Sequence, residues 1–263
     1  MNTPLTEPPT TQTTATPTTA PTAPTPTPAP KHSGLPRPAE EDLEPLRAAT
    51  AALGRDLRAL VETAVRTTAP AEVLHAVADD VRRLTGRLTG RLTGRLRRRS
   101  EIPDVDEFPG GTRMFSPVTG TGSPLAPPLR VTPADGGLLG RCTLGIAHEG
   151  PPGYAHGGMS AMLLDELMGR ACGAVGLHAM TVSLQVRYHR PVPVETPLRL
   201  FAHVTGTEGR RILVHGSVSL AADPAVPAVT ADGVFVSPDP DRAHALFPSL
   251  RDPRTDVPPV TPT

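Results

Sequence analysis

One stretch limits what this chain can fold into more than any other. From Gly157 to about Ala174 it reads GGMSAMLLDELMGRACGA, with the spacing of a helix. Met159, Ala161, Met162, Leu163, Leu164, Leu167, Met168 and Ala171 place apolar side chains on most of its sides. A helix that is apolar nearly all round has to be wrapped. The segments that could wrap it read as strands. Ahead of the helix, GGLLGRCTLGIAHE alternates well enough for one strand. After it, AMTVSLQVRYHRPV sets Val182, Leu184, Val186 and Tyr188 against Ser183, Gln185, Arg187 and His189. TPLRLFAHVTGTEGRRILVHGSVSLAA reads as a hairpin turning at Thr207 to Gly209, and VPAVTADGVFVSP as a last strand. A long apolar helix followed by consecutive antiparallel strands is an α+β pattern. Its simplest solution is a curved antiparallel sheet closed around the helix.

The remainder divides by composition. Residues 1–38 are rich in Thr, Pro and Ala and have little apolar surface to bury, so a disordered or extended tail is expected. Residues 39–100 read as a helical segment, with Leu46, Leu53, Leu57, Leu60, Val61 and Val65 at helical spacing and a second helix starting near Pro70 and Ala71. That second helix carries LTGR three times from Leu84 to Arg95. It lines up leucines beside a stripe of arginines, and each repeat glycine costs about 1 kcal/mol relative to Ala. A basic amphipathic helix for an acidic lipid or carrier protein is one reading; a solvated, partly frayed connector is favoured. Residues 101–238 form the expected globular domain, and 239–263 a second Pro-rich tail.

Composition also excludes partners. The 26 basic and 26 acidic residues balance, so charge argues for no nucleic-acid partner. The N-terminus has neither the apolar run of a secretory signal nor the Arg-rich character of a transit peptide, and no run is long enough to span a membrane. Cys142 and Cys172 are then expected as reduced thiols in a cytoplasmic protein, Cys172 as packing inside the helix. Nine histidines show no ligand spacing with Cys or Asp, so no metal and no cofactor are expected.

The helix start is the unusual part. EGPPGYAHGG runs into LLDELMG and later into MTVSLQVRYHRPVP. These motifs, over about Gly111 to Pro238, resemble the hotdog-fold acyl-CoA thioesterases of the PaaI type, and most of all the branch that contains human thioesterase superfamily member four. The resemblance implies a helix held in a curved sheet and an active dimer, or a dimer of dimers, with no membrane insertion. It implies that Asp165 is the reactive acid and that His156 and Gly157 lie on the oxyanion side. Thr181 is implied as the hydroxyl that steadies the acid or the water. Gly158, Tyr188, His189, Arg190 and Arg211 are implied on the substrate side, the arginines suiting the phosphates of CoA. Some PaaI-type enzymes carry an asparagine six residues before the histidine, where this chain has Gly150. The branch with EGPPG also does without it.

Thioester chemistry needs a polarised carbonyl and an oxygen nucleophile. A helix N-terminus offers unpaired N–H groups and a partial positive charge, which suits a developing oxyanion. Gly157 and Gly158 let a carbonyl approach. Asp165 then serves as general base for water or as direct nucleophile; the sequence leaves both open. Asp165 lies eight residues beyond Gly157, about 12 Å along a helix, so both cannot act on one carbonyl from the same helix. Two helices related by a two-fold axis can meet the need, the acid of one serving the helix start of the other. Alone, His156 reads as a turn histidine, Thr181 as strand propensity, and Arg210 and Arg211 as a solvated turn. Asp165 is harder to excuse, because a buried unpaired carboxylate is costly. Glu166, about 100° round the helix, is expected to cap or pair locally. The implied substrate is an acyl-CoA, with acyl-carrier protein open as the other carrier. The alternative is a non-catalytic acyl-CoA or acyl-carrier binding or regulatory module on the same fold. A hotdog dehydratase would need a different Asp-to-His arrangement.

Overall fold

The computed structural model describes residues 40–89, 96–97, 101–107 and 111–239. The two stretches read as disordered tails lie outside the described residues, apart from Asp239, as does the LTGR repeat beyond Thr89 except Leu96 and Arg97.

Two helices come first, α1 (Glu40–Arg66) and α2 (Ala71–Thr89). Strands β1 (Arg130–Ala134) and β2 (Gly137–Thr143) lead through a 3-10 turn, Ile146–His148, to the long helix α3 (Gly157–Ala174). Strands β3 (Met180–Tyr188), β4 (Pro197–Glu208), β5 (Arg211–Leu220) and β6 (Asp223–Val236) follow. All pairings are antiparallel, in the order β1-β2-β4-β5-β6-β3. The α+β hotdog architecture expected from the sequence is therefore present.

Three details differ from the sequence reading. The sheet has six strands, because RVTPA forms β1 at its free edge. Pro133 has no N–H to donate, which an edge strand tolerates and a central one does not. The β4–β5 turn is Gly209–Arg210 rather than Thr207 to Gly209, since Glu208 still pairs with Arg211, and Gly209 takes the positive φ of 59°. The strand β3 does not bury Val182 or Tyr188, which remain 63% and 55% exposed. It is the other edge strand, and its ladder with β6 slips between Thr181 and Ser183.

The sheet covers one side of α3 and not the whole of it. Leu163, Leu164, Leu167, Met168, Ala171 and Cys172 are buried against Leu198 and Leu200 of β4, Ile212, Val214 and Val218 of β5, and Phe235 of β6. Full burial of each large side chain contributes about 1.5–3 kcal/mol. Asp165, Glu166, Gly169 and Gly173 are half-buried on the less covered side of α3, while Met159 and Met162, also half-buried, pack against the edge of the core.

The first helix, α1, is docked on the same body. Gly54 is buried there, and a Cβ in its place would come 2.4 Å from the Thr121 carbonyl oxygen. That glycine, poor for an isolated helix, is what lets α1 lie on the 121–122 backbone. Arg58 Nη1 donates to the carbonyls of Thr121 (2.8 Å) and Ser123 (2.7 Å). By contrast α2 has no buried residue.

Candidate active site

The loop before α3 is held at several points. Ala155 N–H donates to the Val192 carbonyl, and His156 N–H to the carbonyl of His148 in the 3-10 turn. The Glu149 carboxylate accepts the Gly153 N–H at 2.6 Å. His156 is the N-cap of α3, with its Nδ1 accepting the Gly158 N–H at 3.1 Å. That bond requires Nδ1 to be unprotonated and removes the Gly158 donor from use. The Gly157 N–H, in the first turn, has no protein acceptor among the described residues.

The need for glycine here also has a steric side. A Cβ on Gly157 would stand 3.3 Å from Tyr188 Cε1, and one on Gly158 3.1 Å from His156 Nδ1. Tyr188 lies over the helix start and donates its hydroxyl to the Gly157 carbonyl at 3.0 Å.

Asp165 is half-buried, two turns further along α3. Thr181 Oγ1 donates to its Oδ1 at 2.7 Å, while Oδ2 has no protein partner among the described residues. The slipped ladder explains how Thr181 reaches it. In a regular strand Thr181 would share a face with Ser183 and Gln185, away from the helix. With Val182 as the extra residue, Thr181 pairs with buried Phe235 and takes the helix-side face, as Leu184 does opposite Gly233. Asp165 and Thr181 open on a cleft of about 820 Å³ whose wall includes Arg113, Arg170, His178 and Met180. Glu166 pairs locally, as its position implied: Arg170 Nε donates to it at 2.8 Å and Thr119 Oγ1 at 3.4 Å.

The candidate residues thus fall into two groups within one chain. His156, Gly157, Gly158 and Tyr188 surround the start of α3; Asp165 and Thr181 meet further along it. The others stand apart. His189 Nε2 is 2.9 Å from Thr230 Oγ1. Arg190 Nη2 donates to the Val226 carbonyl at 2.6 Å, and its Nη1 is 3.8 Å from Asp223. Arg211 is exposed at the start of β5, in register with Val236 and, across β6, with Met180. The cysteines are unsuited to nucleophilic attack: burial pushes the Cys142 thiol up to about 12 and the Cys172 thiol up to about 11. Among the described residues no group of three His, Cys, Asp or Glu could hold a metal ion, and no helix is long and apolar enough to cross a membrane.

Sequence reasoning missed the support beneath this site. Glu62 of α1 accepts the N–H groups of Ile146 (3.0 Å) and Ala147 (3.1 Å), capping the 3-10 turn that carries His148. Arg66 bridges Glu62 and Glu195. Partial burial pushes the Glu62 carboxyl up, but the Ala147 and Ile146 N–H groups and Arg66 outweigh it and hold the group below the usual carboxylate range. Nothing in the α1 sequence marks Glu62 apart from other charges on a helix face.

A helix in a curved antiparallel sheet, with a capped glycine corner at its start and a paired acid in mid-helix, defines a hotdog-fold protein with a hydrolase-like site. The thioesterase superfamily family model matches residues 152–223. A crystal structure of a thioesterase superfamily protein is 32% identical, covering 71% of this chain and 90% of that one, with a TM-score of 0.61. The chain belongs to the thioesterase superfamily. It is also 28% identical over 98 residues to acyl-coenzyme A thioesterase THEM4 of Rattus norvegicus, covering 37% of this chain and 42% of that protein. For acyl-coenzyme A thioesterase THEM5 of Homo sapiens the figures are 27% over 88 residues, 34% and 35%. The match therefore spans less than half the length of these curated relatives.

Proposed function

We propose that this chain is an acyl-CoA thioesterase, hydrolysing a thioester to a free acid and CoA across a homodimer interface. The observation that carries it is the pair Thr181–Asp165, with a hydrogen bond at 2.7 Å. It sits about 12 Å along α3 from the unpaired Gly157 N–H. The helix start stabilises the charge that develops on the thioester oxygen. His156 orders that corner, and the Tyr188 hydroxyl fixes its first carbonyl. Asp165 supplies the oxygen nucleophile, either by taking a proton from water or by attacking the carbonyl carbon itself, with Thr181 orienting the carboxylate. His189, Arg190 and Arg211 serve the CoA side, where arginine matches phosphate.

Two features support the dimer. The site residues form two groups too far apart to share a carbonyl within one chain. In addition, Asp165 opens on a cleft, and the edge strand β3, with exposed Met180 and Val182, has a strand on one side only among the described residues. The relatives' names, which include acyl-coenzyme A thioesterases, favour the acyl-CoA substrate.

The test is release of CoA from an acyl-CoA panel, followed with a thiol reagent. Asp165→Ala abolishes turnover; retention of full activity removes the mechanism. Mixing Asp165→Ala protein with Gly157→Pro protein tests the shared site. Mixed dimers regain activity when acid and helix start come from different chains, and stay inactive when both come from one.

A further inference from the structure

The helix α2 carries an apolar seam that no other described element covers. Each of its residues is exposed except Ala78, which is half-buried. Leu74, Val77, Val81, Leu84 and Leu88 recur at alternating steps of three and four residues, and all are 39–58% exposed. Such steps keep the five side chains in one line along the helix, at the a and d positions of a coiled-coil seam.

Charge says what fits that seam. Glu72, Asp79 and Asp80 lie in the first half of α2, and Arg82, Arg83 and Arg87 in the second. The two signs balance, so the helix lacks the basic excess that an anionic lipid surface attracts. A second α2 running the other way sets each acidic half against a basic half. One register satisfies both seam and charge. With Val81 against the partner's Leu84, Val77 meets the partner's Leu88, and a two-fold axis repeats both contacts. Asp80 and Arg87 flank the seam on the same side, one heptad apart, and in this register they face the partner's Arg87 and the partner's Asp80. Within the chain Asp79 pairs with Arg82 and Asp80 with Arg83, whereas Arg87 has no acid partner among the described residues. A parallel pair would set Asp80 beside the partner's Thr85 and leave Arg87 unanswered.

We infer that α2 pairs antiparallel with the α2 of a second copy of this chain, along residues 77–88. The contact uses none of the α3 and β3 residues invoked for the proposed homodimer, and it does not depend on the thioesterase reading. The overlap is only about three turns. So short a helical contact is weak by itself, and trapping reads it better than mass does.

The test traps it by a disulfide in the full chain, between two co-expressed and differently tagged variants, Val81→Cys and Leu84→Cys. Mild oxidation gives a cross-linked product that carries both tags, faster than either variant links to itself. The parent chain, with half-buried Cys142 and buried Cys172, sets the background. Both substitutions fall on exposed side chains of a helix with no buried residue, so thermal unfolding of the domain stays unchanged. Adding Asp80→Arg to both chains places like charges across the contact and slows the mixed cross-link about tenfold. Carrying Asp80→Arg in one chain and Arg87→Asp in the other restores both opposite pairs and the rate. A change in one chain that rescues a change in the other acts through the contact, not through the stability of either helix. Preferential self-linking of the Val81→Cys variant marks a parallel pair and overturns the inference. So does a mixed product no greater than the parent's background, as when solvent or a different partner covers the seam. A cross-link that the charge changes leave unmoved overturns it as well.

Discussion

Glu62 offers a direct test of how α1 supports the domain. Glu62→Gln keeps the shape and removes the charge. In the native chain the carboxylate accepts two backbone N–H groups, at 3.0 and 3.1 Å, and pairs with Arg66 at 3.2 Å. Hydrogen bonds to a charged group contribute about 1.5–3 kcal/mol each when shielded. Glu62 is 31% exposed at the side chain, so solvent screens much of that, and the bridge to a half-exposed arginine adds little. The glutamine oxygen can satisfy one N–H, while its NH2 group faces the other. A loss of about 1–2 kcal/mol results, or about 2–8 °C in Tm for a folded body of this size. The pH dependence carries the sign. The folded carboxyl titrates below its ordinary value, so its stabilisation is fully present above the unfolded pKa of about 4.3 and disappears as pH falls through the folded pKa. Thermal unfolding of both proteins from pH 8 down to pH 3 should show a constant gap to about pH 5 that closes at lower pH. A gap that does not change with pH, or a variant more stable than the parent at pH 7, would refute the argument.

Other perturbations separate packing from chemistry. Leu167→Ala, at a fully buried position of α3, should cost about 2.7–5 kcal/mol in denaturant unfolding, with the denaturant slope unchanged. A loss below 1 kcal/mol would mean that the sheet does not grip α3 as described. Thr181→Val should leave stability nearly unchanged, because the side chain is exposed in the single chain, yet lower kcat/KM about 10- to 100-fold by removing the bond to Asp165. Wild-type kinetics in that variant would detach Thr181 from the acid.

Much of the architecture is legible because it follows from periodicity. The bounds of α3 coincide with the apolar run that had to be wrapped, and the acid stood out as a carboxylate in an apolar helix. Strand β1 was hidden because Pro133 and the prolines before it read as loop, and only its place at a sheet edge makes the proline tolerable. The support from α1 was hidden for a different reason. Gly54 reads as a flaw in an amphipathic helix until the 121–122 backbone is seen beneath it, and Glu62 as a solvated charge until its two N–H partners are in place. Contacts between segments over 60 residues apart leave no local mark.

Thr181 is the most instructive case, since simple alternation puts it on the wrong face. The residues MTVSLQVRY group Thr181 with Ser183, whereas the ladder pairs Thr181 with Phe235 and Ser183 with Val234, Val182 being the surplus residue. A bulge that re-aims a side chain beside a site makes an unusual demand. Deleting Val182 should be tolerated, because the shortened strand MTSLQVRY places Thr181 and Leu184 on one face by ordinary alternation and keeps the hydroxyl against Asp165. Deleting Ser183 instead also removes the surplus residue, but puts Val182 in the place of Ser183 opposite Val234. The Val182 deletion should therefore retain at least a tenth of the parent's kcat/KM and an unchanged far-ultraviolet circular dichroism spectrum. A folded but inactive deletion would show that the twist of the bulge, and not the face it presents, is what sets Thr181 against the acid.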